Sequence, residues 1–228
     1  MKSTVFILLV AIATCFVTKS VAQSNKFVIK NGFAIGGGIT QFDIITDNFE
    51  TTKGEGWIVG MSATVMPPYK AYGVSYGMQL SENTIGISGY TSLTDLSPRV
   101  LEYKIFTAQV AFLCHVKLIS DFVTFDVGPM LQYNSDLELK EDAQESYLIK
   151  SYNNLTANDI TEISNVNFNG AVGFTVGLSH FKVKAQYIYG VTNMLNKLNS
   201  NNDLDLSGND RKFKGNQSML AFTAMITF

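Results

Sequence analysis

The sequence predicts an all-β fold: an eight-stranded antiparallel up-and-down transmembrane β-barrel with short periplasmic turns and long extracellular loops. Three observations carry that prediction. Downstream of the N-terminus, apolar residues alternate with small or polar ones at period two, the period of a strand. The connections run long, short, long, short, as in bacterial outer-membrane barrels. The polar face is mostly Gly, Ser, Thr, Asn, Gln and Ala. Such residues suit a crowded lumen, whereas a water-exposed exterior would carry many charges.

Strand one covers about 32–42, with Phe33, Ile35 and Ile39 against Gly32, Ala34, Gly36, Gly38 and Thr40. Strand two, about 56–66, sets Trp57, Val59, Met61, Ala63 and Val65 against Gly60, Ser62 and Thr64. Strand three, about 72–80, has the cleanest alternation: Tyr72, Val74, Tyr76, Met78 and Leu80 against Gly73, Ser75, Gly77 and Gln79. Strand four, about 103–114, places Phe106, Ala108, Val110, Phe112 and Cys114 opposite Thr107, Gln109 and Ala111. Strand five, about 122–133, has Val123, Phe125, Val127, Leu131 and Tyr133 on the apolar face. Strands six (about 166–178), seven (about 181–190) and eight (about 217–228) repeat the pattern. Gly36-Gly37-Gly38, Gly54 and Pro67-Pro68 argue against long helices.

The connections at 43–55, 81–102, 134–165 and 191–216 read as long. Pro67-Pro68-Tyr69-Lys70, residues 115–121 and Ser179-His180 read as short turns. An even strand number sets both ends of the barrel domain on the periplasmic side.

Composition narrows the class. The chain has 228 residues and a formal charge of −2, without the basic footprint of a nucleic-acid binder. Charged residues are 16%, below the ~25% of ordinary soluble domains. Hydrophobic residues are 46%, which excludes disorder. Two Cys cannot build a disulfide scaffold, and two His leave little for a His-rich metal site.

Residues 1–22 read as a cleaved signal peptide, leaving 23–228 as the barrel domain. Lys2 supplies a positive start, Val5 begins an apolar run to Val17, and Ser20-Val21-Ala22 offers a small-residue cleavage site. Ile12-Ala13-Thr14-Cys15 resembles a lipobox, but Thr14 is a poor residue before the modified Cys. After cleavage only Cys114 remains. No later apolar run is long enough for a membrane helix, which needs about 18–20 residues. The expected location is therefore the bacterial outer membrane, with outer-membrane lipid as surroundings.

Aromatic placement supports that orientation. Trp57, Tyr103, Tyr133, Phe168 and Tyr189 fall near the long-loop strand ends. Phe33, Tyr72, Phe122, Phe181 and Phe228 fall near the short-turn ends. Two such girdles flank an aliphatic band in membrane barrels. The final strand alternates Leu220, Phe222, Ala224, Ile226 and Phe228, like the C-terminal signal read by the barrel assembly machinery. That machinery and periplasmic chaperones are expected partners during biogenesis.

Gly73-Val74-Ser75-Tyr76-Gly77, Val127-Gly128-Pro129-Met130-Leu131, Gly170-Ala171-Val172-Gly173-Phe174 and Gln186-Tyr187-Ile188-Tyr189-Gly190-Val191-Thr192-Asn193 recur along the mature chain. In these motifs the sequence, over about 25–228, resembles the PorT-like outer-membrane β-barrel domain family. The resemblance implies an outer-membrane barrel, with an association to protein secretion in some members. It implies no catalytic residue.

Candidate chemistry is sparse. Asp126, Lys182 and Lys184 are expected to face the lumen as a buried ion pair. His115 and His180 are expected in periplasmic turns, away from the extracellular end where barrel enzymes hold their active residues. Asp203-Leu204-Asp205-Leu206-Ser207-Gly208-Asn209-Asp210 begins like a calcium loop, but its twelfth position is Lys214 instead of Glu. Asp136, Glu138, Glu141, Asp142 and Glu145 read as a solvated acidic face. No catalytic residue, cofactor or metal is expected.

The expected function is non-enzymatic: a closed, side-chain-filled barrel acting through its extracellular loops in surface interaction or envelope integrity. Two alternatives stand beside it: a transport or secretion-associated component with its own partner, and a soluble exported barrel enclosing lipid.

Overall fold

The computed structural model describes residues 30–67, 70–92, 94–95, 97–178, 180–200 and 212–228. The signal-peptide segment 1–22 and the calcium-like segment 203–210 lie outside the described residues.

The eight barrel strands are β1 (Lys30–Thr46), β2 (Thr51–Met66), β3 (Tyr72–Tyr90), β4 (Arg99–Ile119), β5 (Val123–Asn134), β6 (Val166–Gly177), β7 (Phe181–Gly190) and β8 (Gly215–Thr227). Each pairs antiparallel with its chain neighbour. β8 then pairs β1, with Ala34 opposite Thr227 and Thr46 opposite Gly215, which closes the ring. Closure leaves no edge, and in hydrocarbon each unpaired backbone group would cost several kcal/mol. Pro129 interrupts the ladder locally: β4 and β5 pair at Ala111–Met130 and resume at Cys114–Val127. Two short ladders, Glu138–Leu139 on β4 and Leu148–Ile149 on β3, extend the sheet at the long-loop end.

The strands overrun the lengths expected from sequence. β3 has 19 residues and β4 has 21, about twice the 9–11 needed to cross a bilayer. The β1–β2 connection is residues 47–50 and not 43–55, and the β3–β4 connection is 91–98 and not 81–102. The difference has one cause. Midway along the strands the polarity of the two faces exchanges.

On β3, Tyr72, Tyr76, Met78 and Leu80 point outward and are exposed, while Ser75, Ser81 and Asn83 are buried in the lumen. Above that level Ile85 and Ile87 are buried inside, and Glu82, Thr84 and Ser88 take the outer face. On β4, Phe106, Val110 and Phe112 face out below, while Leu101, Tyr103 and Ile105 face in above, with Glu102 and Lys104 outside. The lower half is built for lipid outside and polar contacts inside. The upper half is built like a soluble protein.

The lipid-facing band includes Ile35, Ile39, Met61, Met78, Val127, Leu131, Phe174, Val183, Phe222 and Ile226, all exposed. An exposed apolar surface this extensive is untenable in water. The soluble lipid-enclosing alternative is thereby overturned, because the apolar face is outside.

The upper half holds the hydrophobic core. Phe42, Ile44, Ile58, Ile85, Ile87, Leu101, Tyr103 and Ile105 pack with Leu137, Ile149, Tyr152, Leu155, Ile160 and Ile163 of the β5–β6 connection. Met194, Leu195, Leu198 and Phe213 of the β7–β8 connection join them. Each fully buried side chain of this size contributes roughly 1.5–3 kcal/mol.

Candidate functional site

The lumen is the candidate site, and it is layered. At the short-turn end a cavity of about 800 Å3 opens between the strands. Its wall carries Ser75, His115, Thr124, Thr175, Lys182 and Lys184. The sequence reading of a lumen filled throughout is corrected here. β1 and β2 contribute Gly32, Ala34, Ser62, Thr64 and Met66 to this wall, and the four small side chains among them leave the space open.

Above the cavity Leu113, Met130, Ala171, Met219 and Ala221 are buried and face inward. Above them lies an amide layer. Gln109 Nε2 donates to Gln132 Oε1 at 2.5 Å, and Asn169 Nδ2 donates to the same oxygen at 2.7 Å. Gln132 Nε2 donates to Asn134 Oδ1 and to Gln217 Oε1. Beside it the Thr40 hydroxyl donates to Asn83 Oδ1 at 2.6 Å, and Ser81 and Thr107 hydroxyls meet at 2.7 Å. Such a network fixes one arrangement of the lumen, because every lost partner leaves a buried polar group.

At the top, side chains from three connections pack together. Phe49 stacks on Phe213 with ring centroids 5.7 Å apart, and Tyr152 stacks on Phe213 at 6.1 Å. These rings come from 47–50, 135–165 and 191–214. Outside the cap, Lys150 Nζ lies 2.6 Å from Glu50, and Lys140 Nζ lies 2.6 Å from Glu102. Lys197 lies 3.5 Å from both Asp136 and Glu162.

The cavity wall carries the chemistry. His115 sits inside β4, directly opposite Asp126 of β5. Its Nδ1 is 2.6 Å from Asp126 Oδ1, and its Nε2 is 2.7 Å from Ser75 Oγ. Thr124 donates to Asp126 Oδ1 at 2.7 Å, and Thr175 donates to Oδ2 at 2.5 Å. Because the carboxylate accepts, the His115 Nδ1–H donates to it, while Nε2 stands within hydrogen-bond distance of the Ser75 hydroxyl.

Two sequence expectations change here. His115 is a buried lumen residue and not a turn residue, because β4 runs five residues beyond its expected end at 114. Asp126 is engaged by His115, Thr124 and Thr175, and no ion pair joins it to Lys182 or Lys184 among the described residues. The lysines stand on β7, two strands from β5, while His115 and Thr175 stand on the strands beside Asp126. The nearer donors hold it.

Ser75, His115 and Asp126 share the connectivity of a nucleophile, base and orienting acid. Acyl transfer also needs N–H donors converging on a developing oxyanion. Ser75 is the fourth residue of β3, opposite Thr64 on one side and Leu113 on the other. Strand backbone there is committed to the ladders. The arrangement serves as a hydrogen-bonded tie between three strands.

The expected girdle residues Trp57, Tyr133, Phe168, Tyr189, Phe33, Tyr72, Phe122 and Phe181 face outward and are exposed. Tyr103 does not join them. It is fully buried and donates its hydroxyl to Ala157 O at 3.0 Å. Its parity with Thr107 and Gln109 put it on the inner face, a signal present in the sequence. Phe106 is the outward aromatic of that strand end. On β8, Phe222, Ala224 and Ile226 face outward, and Phe228 just beyond it is exposed. Lys184 is 7% exposed and Lys182 half-buried, both lining the cavity.

No family model matches the chain, and no curated protein matches it. Among solved structures it is similar to Neisserial surface protein A, at 10% identity and a TM-score of 0.48, over 86% of this chain and 97% of that one. It is similar to Ail, the attachment invasion locus protein of Yersinia pestis, at 10% identity and 0.47, over 87% and 99%. The outer membrane protein OprG from Pseudomonas aeruginosa follows at 14% identity and 0.45, over 88% and 97%. The assignment of this chain rests on its own architecture. A closed eight-stranded antiparallel ring, a lipid-facing apolar band and aromatic rims make it an integral outer-membrane β-barrel.

Proposed function

We propose that this protein is a non-conducting, non-enzymatic outer-membrane barrel whose extracellular cap is a docking surface for surface interaction. The observation that carries this is the cap itself. Phe49, Tyr152 and Phe213 bind three connections into one packed body over the lumen. Loops whose only task was to link strands would not need a shared buried core. Below the cap the amide layer blocks the bore a second time.

The glycine-rich motifs support placing the chain among PorT-like barrels. Its outward β8 face supports engagement by the barrel assembly machinery. Transport is the second reading, favoured by the cavity open at the short-turn end.

Two measurements test the proposal. Reconstituted in planar bilayers, the full chain should give no steady conductance, and an ohmic channel would favour transport. On intact cells, replacing residues 138–162 by a Gly-Ser linker should keep a folded barrel and abolish surface adherence. Unchanged adherence would overturn the docking role.

A further inference from the structure

The cavity at the short-turn end has an excess of donors. Lys184 is 7% exposed, lines the cavity, and makes no hydrogen bond or ion pair among the described residues. Lys182 stands two residues along the same face and likewise has no ion pair among the described residues. The Thr227 hydroxyl is buried without a partner and lines the same space, and Ser62 and Thr64 add two further hydroxyls to the wall.

The acidic groups nearby are already engaged. Asp126 accepts from His115, Thr124 and Thr175. Asp121 at the rim lies 3.0 Å from Lys117. His115 has both ring nitrogens in hydrogen bonds. The wall is left with two ammonium groups that no carboxylate meets in an ion pair among the described residues, beside several hydroxyls. A buried ammonium without a partner is strongly unfavourable, so such a group marks a place for a counter-charge.

The space is adequate. About 800 Å3 falls in the range of small-molecule sites. Met66 and Met225 add apolar surface to the lining, beside Ser120 and Asp121 at the rim.

We infer that this cavity is a binding site for an organic oxyanion, a phosphate or carboxylate carried on an apolar body. The anionic head meets Lys184 and Lys182, with the Thr227 hydroxyl as a further donor. The apolar body lies against Met66 and Met225. The cavity opens at the short-turn end, where two sources supply this chemistry: a free periplasmic anion and the phosphate headgroup of an inner-leaflet lipid.

The test uses the full chain refolded into nanodiscs of zwitterionic phosphatidylcholine, titrated calorimetrically with octyl phosphate and with inorganic phosphate. Saturable binding is expected, weakened at least tenfold in Lys184→Met and reduced in Lys182→Met. Lys140→Met, in the extracellular half, should bind as the wild type does. Folding of each variant is checked by the mobility shift on boiling. Thr227→Val offers a second, uncharged probe and should weaken binding severalfold.

The lipid source is read separately. Protein purified from native membranes in mild detergent is examined by mass spectrometry for retained anionic phospholipid. Binding of added phosphate points to a free anion. Phospholipid retained by wild type and lost in Lys184→Met points to a headgroup. Neither result, or equal binding by wild type and Lys184→Met, would overturn the inference.

Discussion

His115 Nδ1 and Asp126 Oδ1 lie 2.6 Å apart at directly opposed positions of β4 and β5. Through Ser75 on one side and Thr175 on the other, this pair ties four consecutive strands together inside the barrel. Asp126 is fully buried, and its three donors replace the water it gave up. Asp126→Leu would strand those donors. The expected loss is about 3–5 kcal/mol of stability in urea unfolding of the reconstituted barrel, the range for breaking a buried pair. A loss under ~1 kcal/mol would show that the tie contributes little.

The closing seam gives a sharper test of packing. A Cβ on Gly38 would stand 1.8 Å from Phe222 O, and one on Gly36 would stand 2.4 Å from Ala224 O. Both oxygens belong to the β8 backbone and cannot swing aside. Gly38→Ala should therefore fail to close and lose its mobility shift on boiling. Gly170 meets nothing within 4 Å, so Gly170→Ala should fold and gain roughly 0.5–1 kcal/mol from reduced chain entropy. Equal behaviour of the two variants would contradict the seam geometry.

Tyr103 anchors the cap from below. Tyr103→Phe removes only the bond to Ala157 O and should cost about 0.5–1.5 kcal/mol. Tyr103→Ala empties a core position and should cost about 3–5 kcal/mol. In the Ala variant, protease added to intact cells should cleave within 135–165 far faster than in the wild type. Unchanged cleavage would mean that the cap does not depend on this ring.

The ion pair of Lys150 with Glu50 responds to pH in a defined direction. The hydrogen bond with Glu50 holds the Lys150 ammonium above its usual pKa of 10.5, and the attraction of the Glu50 charge adds to it. A raised lysine pKa gives a contribution that is complete below 10.5 and lost as pH rises through the folded-state value. Both side chains are largely solvated, so salt should screen the pair. NMR titration of the Lys150 side chain should show the upward shift at low salt and its decline at high salt. Glu50→Gln should remove it.

Much of the barrel is legible in the sequence, and the departures share a physical origin. All eight strands appear because lipid and lumen impose a clean period of two on residues such as Tyr72 to Leu80. The pattern then loses phase at Leu80, where Ile85 and Ile87 turn inward and Glu82 and Thr84 take the outside. A rule that looks for apolar residues on one face ends the strand there, although the backbone ladder continues to Tyr90. The misplacement of Tyr103 comes from the same exchange, since above it an inward aromatic is a core residue. His115 reads as a turn residue because the period-two pattern of its strand ends at Cys114. The partner of Asp126 was beyond sequence reasoning, since choosing between His115 and Lys184 requires the register. The open cavity follows from small residues on β1 and β2, which were legible as lumen-facing but not as space.

The central claim is that the apolar face of this barrel is turned to lipid. The most direct test is carbonate extraction of the envelope fraction, followed by gel electrophoresis with and without boiling. The account predicts protein that stays in the membrane pellet and changes mobility on boiling. Release into the carbonate supernatant, with one mobility under both conditions, would contradict it.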